Sequence, residues 1–222
     1  MNITLLKLGG SLITDKSIAY HAEHDRIDDI SKQIARALKA KPTLNLILGN
    51  GAGSYAHQSA KKYGTMQGFT DETGRYGACV VHHDAMRLNQ IIMDSLLKHD
   101  VPVFSMQPSA MMKHEVPMPN VQFPLLEDLL VKKLIPVVYG DVIIDSEKGS
   151  TIYSTDTLVE LIAEYFHRQN NTITIIHAGN YAGVRGKDDE IISQITPENA
   201  SEVLPFITHA ETIDVSGGMA LK

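Results

Sequence analysis

The sequence predicts an α/β chain, a three-layer α/β/α sandwich around a mainly parallel central sheet. Three observations lead there. Short continuous apolar runs at 2–8, 44–48, 101–106, 134–139 and 172–177 have the length and composition of strands buried on both faces. The stretches between them carry apolar residues at helical spacing, the alternation expected of a parallel sheet with crossover helices. No Pro/Gly/Ser-rich linker and no internal repeat breaks the pattern, so the 222 residues read as a single domain.

The elements follow in order. NITLLKL at 2–8 is a first strand, ended by Gly9-Gly10. Ile27, Ile30, Ile34 and Leu38 then recur at helical spacing, with Asp28 and Asp29 in a first turn where acids suit the dipole. LNLIL at 44–48 is a second strand; it runs into a glycine-rich loop and a helix over 59–63. Val81, Met86, Leu88, Ile92 and Leu96 give residues 74–98 an apolar helical face. Two further strands, VPVFSM at 101–106 and LIPVVY at 134–139, flank the helix-like PLLEDLLVKK. VIIDSEKGSTIYS reads as a hairpin turning at Lys148-Gly149. A helix from Thr157 to Arg168, a strand at 172–177 and a helical region Ser193–Ile207 complete the chain.

Charge and composition narrow the function. With 20 Lys+Arg against 26 Asp+Glu the net charge is −6 and no basic run stands out, which argues against nucleic acid as a partner. The single cysteine, Cys79, excludes intrachain disulfides and Cys-rich zinc sites. The ten histidines contain no HExxH pair, and the adjacent His82 and His83 would diverge by about 100° on a helix, so no metal site is expected. The apolar runs are too short to span a bilayer, and the N-terminus lacks the apolar core of a signal peptide. A cytoplasmic protein without a membrane partner is the expectation.

In parallel α/β sheets ligands bind beyond the carboxyl ends of the strands. Lys7-Leu8-Gly9-Gly10-Ser11 forms one such exit, with Lys16 close behind; paired glycines there can turn amides toward an anion. Gly49-Asn50-Gly51-Ala52-Gly53-Ser54-Tyr55-Ala56-His57 forms a second, suited to phosphate at a helix N-terminus, with His57 on the first turn as a donor. Tyr139-Gly140-Asp141 places an acid at a third exit, where it could fix the two lysines. Ser154-Thr155-Asp156-Thr157 has the form of a helix cap, and the final stretch again pairs Gly217-Gly218 with a lysine, Lys222.

Together these pieces resemble the amino acid kinase superfamily and, within it, the isopentenyl phosphate kinases. The likeness rests on KLGGSLITDK (7–16), GAGSYAHQSAKKYG (51–64), RLNQIIMDSLLKHDVPVFSMQPS (87–109), IPVVYGDVIID (135–145) and DVSGGMALK (214–222), in family order along nearly the whole chain. It implies ATP-dependent phosphorylation of isopentenyl phosphate to isopentenyl diphosphate by direct in-line transfer, with ATP and Mg²⁺. By the same resemblance Lys7, Gly9, Gly10 and Ser11 would cradle the ATP phosphates, and Lys16 would stabilise the group in flight. Ala52 and Gly53 would contact substrate, Gly53 also nucleotide, and His57 the acceptor phosphate. Asp141 would organise the lysines, Thr155 would touch substrate, and Asn180, Gly218 and Lys222 would touch ATP. The prenyl tail would lie against the 74–98 helix, with Met86, Ile92 and Met93 as candidates; core packing accounts for those three equally well.

The resemblance has departures. Ala52 and Ala56 replace two glycines of the family's second loop, and Gly179–Val184 lacks both acids of the nucleotide-side Thr-Asp-Val-Asp-Gly-Val. The chain also ends at Lys222, where the family continues with a further helix and strand. Two other readings stay open: a kinase of the same fold for another phosphate or phosphonate such as fosfomycin, and a non-catalytic nucleotide-binding regulator. Many superfamily members are dimers, so a homodimer is a further expectation.

Overall fold

A computed structural model of the chain describes residues 1–186 and 190–207. Two compact units divide the chain, Met1–Ala178 and Gly179–Lys222. The first contains strands β1 (Asn2–Leu8), β2 (Asn45–Asn50), β3 (Val103–Ser105), β6 (Ile135–Tyr139) and β9 (Thr172–Ala178), which form one parallel sheet in the order β3-β6-β2-β1-β9. From β1 the chain steps to β2, β3 and β6 on one side and only then to β9 on the other. Winding therefore reverses beside β1, which makes the exits of β1 and its neighbours the crevice of this sheet.

Strand alternation sends successive residues to two apolar layers. Ile3 and Leu5 of β1, with Ile47 and Val138, pack on Leu126 and Leu130 of α6 (Pro124–Val131) and on Val159, Ile162 and Phe166 of α7 (Thr155–Arg168). Leu8, Leu46, Leu48, Ile135 and Val137 pack on the opposite face against Ile27 and Ile34 of α2 (His24–Ala40) and Leu88, Ile92 and Leu96 of α4 (Glu72–Lys98). The expected three-layer sandwich is what this packing builds. By the same parity Lys7 lies on the α7 face, where no aliphatic alternation would have put a charge.

Element boundaries shift where local signals compete. A short α1 (Gly10–Ile13) follows the Gly9-Gly10 exit directly. Helix α2 starts at His24, so Asp25, rather than Asp28 and Asp29, occupies its first turn. Helix α3 runs from Gly53 to Tyr63, six residues ahead of the expected start, and so places His57 beyond the first turn. Asp71 caps α4, its carboxylate accepting from the Gly74 N–H at 2.7 Å. A short α5 (Pro108–Met111) and the two-residue strands β4 (Met112–Lys113) and β5 (Asn120–Val121) fill the connection to α6. The predicted hairpin forms as β7 (Asp141–Asp145) and β8 (Gly149–Tyr153), antiparallel and separate from the main sheet. In the second unit helix α8 covers Ala200–Ile207, shorter than the expected 193–207, and Arg185 bridges Ile191. Among the described residues no helix is long and apolar enough to cross a membrane.

Candidate active site

Two glycine-bearing loops meet at the carboxyl edge of the sheet. Leu8 and Asn50 end β1 and β2 in register, and the Gly51 N–H donates to the Leu8 carbonyl at 2.9 Å. Beyond that bond the two glycine exits touch backbone to backbone. A methyl on Gly10 would lie 2.7 Å from the Gly53 nitrogen, and one on Gly51 would lie 2.7 Å from the Gly10 nitrogen. The glycines are thus required by mutual approach. Only Gly53 also needs conformational freedom, at φ +52°. Thr14 ties the pair further: its hydroxyl donates to the Gly10 carbonyl at 2.7 Å and accepts from the Ser54 N–H at 3.0 Å. The N-terminus of α3 opens at this junction with the Ser54 N–H held by Thr14 and the Tyr55 N–H bonded to the Ala52 carbonyl at 3.3 Å, so it is chiefly the helix dipole that favours an anion here.

Lys7 reaches this edge from the α7 face and is only 6% exposed. Its ammonium pairs with Asp156 Oδ2 on the first turn of α7. The other carboxylate oxygen, Oδ1, is buried without a hydrogen bond and lies 3.7 Å from Nδ1 of His177. His177 is the β9 residue in register with Lys7. A chain of polar groups, buried from Thr155 to Asn89, continues from the neighbouring residue. Thr155 Oγ1 donates to the Asn50 carbonyl at 2.6 Å, Asn89 Nδ2 donates to Asn50 Oδ1 at 3.0 Å, and Ser105 Oγ donates to Asn89 Oδ1 at 2.6 Å. These bonds hold the end of β2 against α7, α4 and β3, and so fix the glycine exit that follows Asn50.

Two of the expected residues sit in hydrogen-bond networks of their own. Asp141 is fully buried, but its partners are not the lysines. Oδ1 accepts from the Val142 N–H at 2.7 Å and bonds His82 Nδ1 at 2.8 Å, and Oδ2 accepts from the Ser109 N–H at 3.2 Å. The acid that meets Lys7 is Asp156, because α7 docks on the face to which residue 7 points. Thr155, expected to touch substrate, is 3% exposed and donates its hydroxyl proton to the Asn50 carbonyl, which pins the end of β2. Ile92 and Met93 belong to the sheet-facing core, whereas Met86 borders a separate cluster of α3 and α4. Ala52 and Ala56 border or join that cluster with Ala60, Ala78 and Ala85, so the methyls that depart from the family's glycines pack two helices together.

The remaining predicted residues lie at the same edge or in the second unit. Ser11 is half-buried on α1, Lys16 is exposed in the loop that follows, and His57 is half-buried on α3. Asn180 lies in the second unit. Gly218 and Lys222 lie outside the described residues. Sequence reasoning missed Asp156, His177, Asn50 and Asn89. The readable signal was the parity of Lys7 together with an acid at the start of the helix covering that face.

His82 has a measurable consequence. The hydrogen bond that His82 makes to the Asp141 carboxylate raises its pKa above the ordinary histidine value, against a smaller opposing effect of burial. A raised pKa in the folded state means that the stabilisation is complete below the unfolded value of about 6.5 and is lost as pH climbs through the folded value. Wild type should therefore exceed His82→Gln in unfolding free energy by a margin that shrinks with rising pH across this window. Urea denaturation at several pH values checks this, and a margin independent of pH would contradict the pairing.

Residues 2–222 match the amino acid kinase family over essentially the entire chain. The isopentenyl phosphate kinase of Methanocaldococcus jannaschii is 31% identical over 231 aligned residues, covering 99% of this chain and 85% of that protein. The enzyme of the same name from Haloferax volcanii is 30% identical, covering 100% of this chain and 86% of its own length. A crystallographic isopentenyl phosphate kinase superposes with a TM-score of 0.73 at 29% identity, over 84% of this chain and 76% of its own. A product complex of the Thermoplasma acidophilum enzyme shares the fold at a TM-score of 0.76 and 23% identity, over 93% of this chain and 85% of its own. With strand order, glycine exits and a whole-length match in agreement, the chain belongs to the amino acid kinase family.

Proposed function

We propose that the protein transfers the γ-phosphoryl group of ATP to isopentenyl phosphate, yielding isopentenyl diphosphate and ADP. The observation that carries this reading is the backbone contact between the two glycine exits, Gly9-Gly10 and Gly51–Gly53. It brings a buried lysine and the N-terminus of a histidine-bearing helix to one edge of the sheet, where two phosphorylated molecules can face each other. The relatives named above supply the acceptor's identity.

The chemistry suits these residues. An oxygen of the acceptor phosphate forms a bond to the γ-phosphorus while the bond from that phosphorus to the β-bridging oxygen breaks, and ADP departs with the electron pair. A phosphate monoester has a second pKa of about 6, so the nucleophile is largely ionised at neutral pH and needs no strong base. The barrier lies in bringing two polyanions together, which positioned cations and amides relieve. Lys7, held by Asp156, would bind phosphoryl oxygens of ATP, and Lys16 would stabilise the group in transit. His57 would donate to the acceptor phosphate.

Magnesium usually keeps several waters and binds through phosphates with one or two carboxylates. Among the described residues no group of three or more ligand-type side chains converges, but Asp156 offers one buried oxygen without a hydrogen bond, which fits that mode. Asp156 would hold the ion, which when bound with ATP neutralises charge on the phosphoryl oxygens. Cytoplasmic activity and a homodimer form part of the same proposal, the latter read by light scattering.

A coupled assay of ADP release tests the reading, with isopentenyl phosphate and fosfomycin as competing acceptors and mass spectrometry of the product. Isopentenyl diphosphate formed in step with ADP is the expected result. Preference for fosfomycin, or tight ATP binding with no ADP released, would overturn it.

A further inference from the structure

The loop from Asp15 to Ala22 carries Lys16 and is docked onto the start of the helix that carries His57. Thr14 and Ala22 close its base as an antiparallel bridge. On its returning arm, the Tyr20 N–H donates to the Ser54 carbonyl at 3.3 Å and the His21 N–H donates to Ser54 Oγ at 3.1 Å. Ser54 Oγ donates in return to the His21 carbonyl at 3.3 Å.

Tyr20 itself has φ +57°, a left-handed backbone that a bulky residue keeps only when its surroundings hold it there. Three side chains do so. The phenol donates to Asp84 Oδ2 at 3.0 Å, and Asp84 is a 3% exposed carboxylate on α4. The Tyr20 ring meets Tyr55 of α3 edge-on, with centroids 5.6 Å apart. The Arg87 guanidinium lies over both rings, at 5.5 and 5.6 Å, and 3.9 Å from Asp84 Oδ1. Burial, helped by the bond to Asp84, raises the phenol pKa, so Tyr20 stays a donor at working pH.

We propose that Tyr20 and Asp84 form a clamp that positions Lys16 for phosphoryl transfer, with Tyr20 acting through its loop and touching neither substrate. The inference rests on the transfer reaction proposed above. Its physical basis is the steep dependence of such reactions on placement, about 100-fold for a displacement of about 1 Å. The Asp15 N–H donates to the His21 carbonyl at 3.2 Å, so a shift of the Tyr20–His21 segment carries the backbone at Lys16 with it. The Tyr20–Asp84 bond ties the returning arm to α4, and the Ser54 bonds tie it to α3, so the loop that carries Lys16 and the helix that carries His57 share one frame.

Tyr20→Phe keeps the ring contacts and removes only the donor. It should lower kcat about 10- to 100-fold while KM for ATP and for isopentenyl phosphate each stay within about threefold. Hydrogen exchange of the 15–22 amides should accelerate in the same variant. Asp84→Asn retains an accepting oxygen and should keep kcat within about threefold of wild type, a rescue that a generally loosened fold would not show. Unchanged kcat and exchange in Tyr20→Phe would overturn the clamp, as would equal damage from Asp84→Asn. If the wild-type chain phosphorylates no isopentenyl phosphate, the functional reading fails on its own. Exchange in 15–22 then decides the clamp, with faster exchange in Tyr20→Phe supporting it and unchanged exchange rejecting it.

Discussion

Lys7→Met is expected to lower kcat for phosphoryl transfer by about 10²- to 10³-fold, the usual effect of removing one preorganised charge donor. It should also cost about 3–5 kcal/mol of folding stability, because Asp156 would remain buried without its counter-ion. The two losses have different causes and can be separated. In the double variant Lys7→Met/Asp156→Leu the unpaired carboxylate is gone and two apolar side chains of similar volume meet. Replacing a buried pair in this way is often neutral or stabilising by about 1–4 kcal/mol. Stability should therefore return in the double variant while activity does not, since the ammonium at the β1 exit and the carboxylate proposed to hold magnesium are both gone. Urea denaturation and the coupled ADP assay measure the two quantities on the same preparations. A double variant as unstable as the single one would show that Asp156 is not the group stranded by losing Lys7. Transfer at near wild-type rate in either variant would remove Lys7 from the chemistry.

The pairing of Lys7 also marks the limit of what residue order can reveal. The sheet strands were legible because a parallel strand covered on both faces must be apolar at every position, and Ile3, Leu5 and Leu8 serve both layers. The glycine exits were legible because Gly9-Gly10 and Gly51–Gly53 each follow such a run. Why they hold glycine was not, since the reason is the contact of one exit with the other, across about forty residues of chain. The same contact explains the early start of α3: Gly53, which looks like a helix breaker, instead opens its close-packed first turn. Asp141 and Asp156 both follow strand-like runs, and nothing local distinguishes them. Helix docking decides. Helix α7 covers the face of Lys7, whereas α4 brings His82 to Asp141. Residue types that suit phosphate could thus be read from the sequence, but partners set by packing of distant elements could not.

His57→Ala should separate acceptor from nucleotide. His57 lies on α3 beyond Gly53 and Ser54, whose backbones are held by Gly10 and Thr14, so truncating its ring leaves the junction of the two glycine exits in place. Alanine is the strongest helix former, and a half-buried position inside an eleven-residue helix should accept it at little cost. The side-chain donor is lost. If that donor meets the acceptor phosphate in the transition state, kcat/KM for isopentenyl phosphate should fall by about 10²–10³-fold, equivalent to about 3–4 kcal/mol. ATP affinity, measured by calorimetry without acceptor, should stay within about threefold, because the nucleotide would be held by the β1 exit and Lys7. His57→Gln, which keeps an N–H donor of similar reach, should recover part of the loss. Acceptor kinetics unchanged by His57→Ala would remove the histidine from the site. An equal fall in ATP affinity would mean that α3 serves the nucleotide, and the two substrates would have to exchange places along the edge of the sheet.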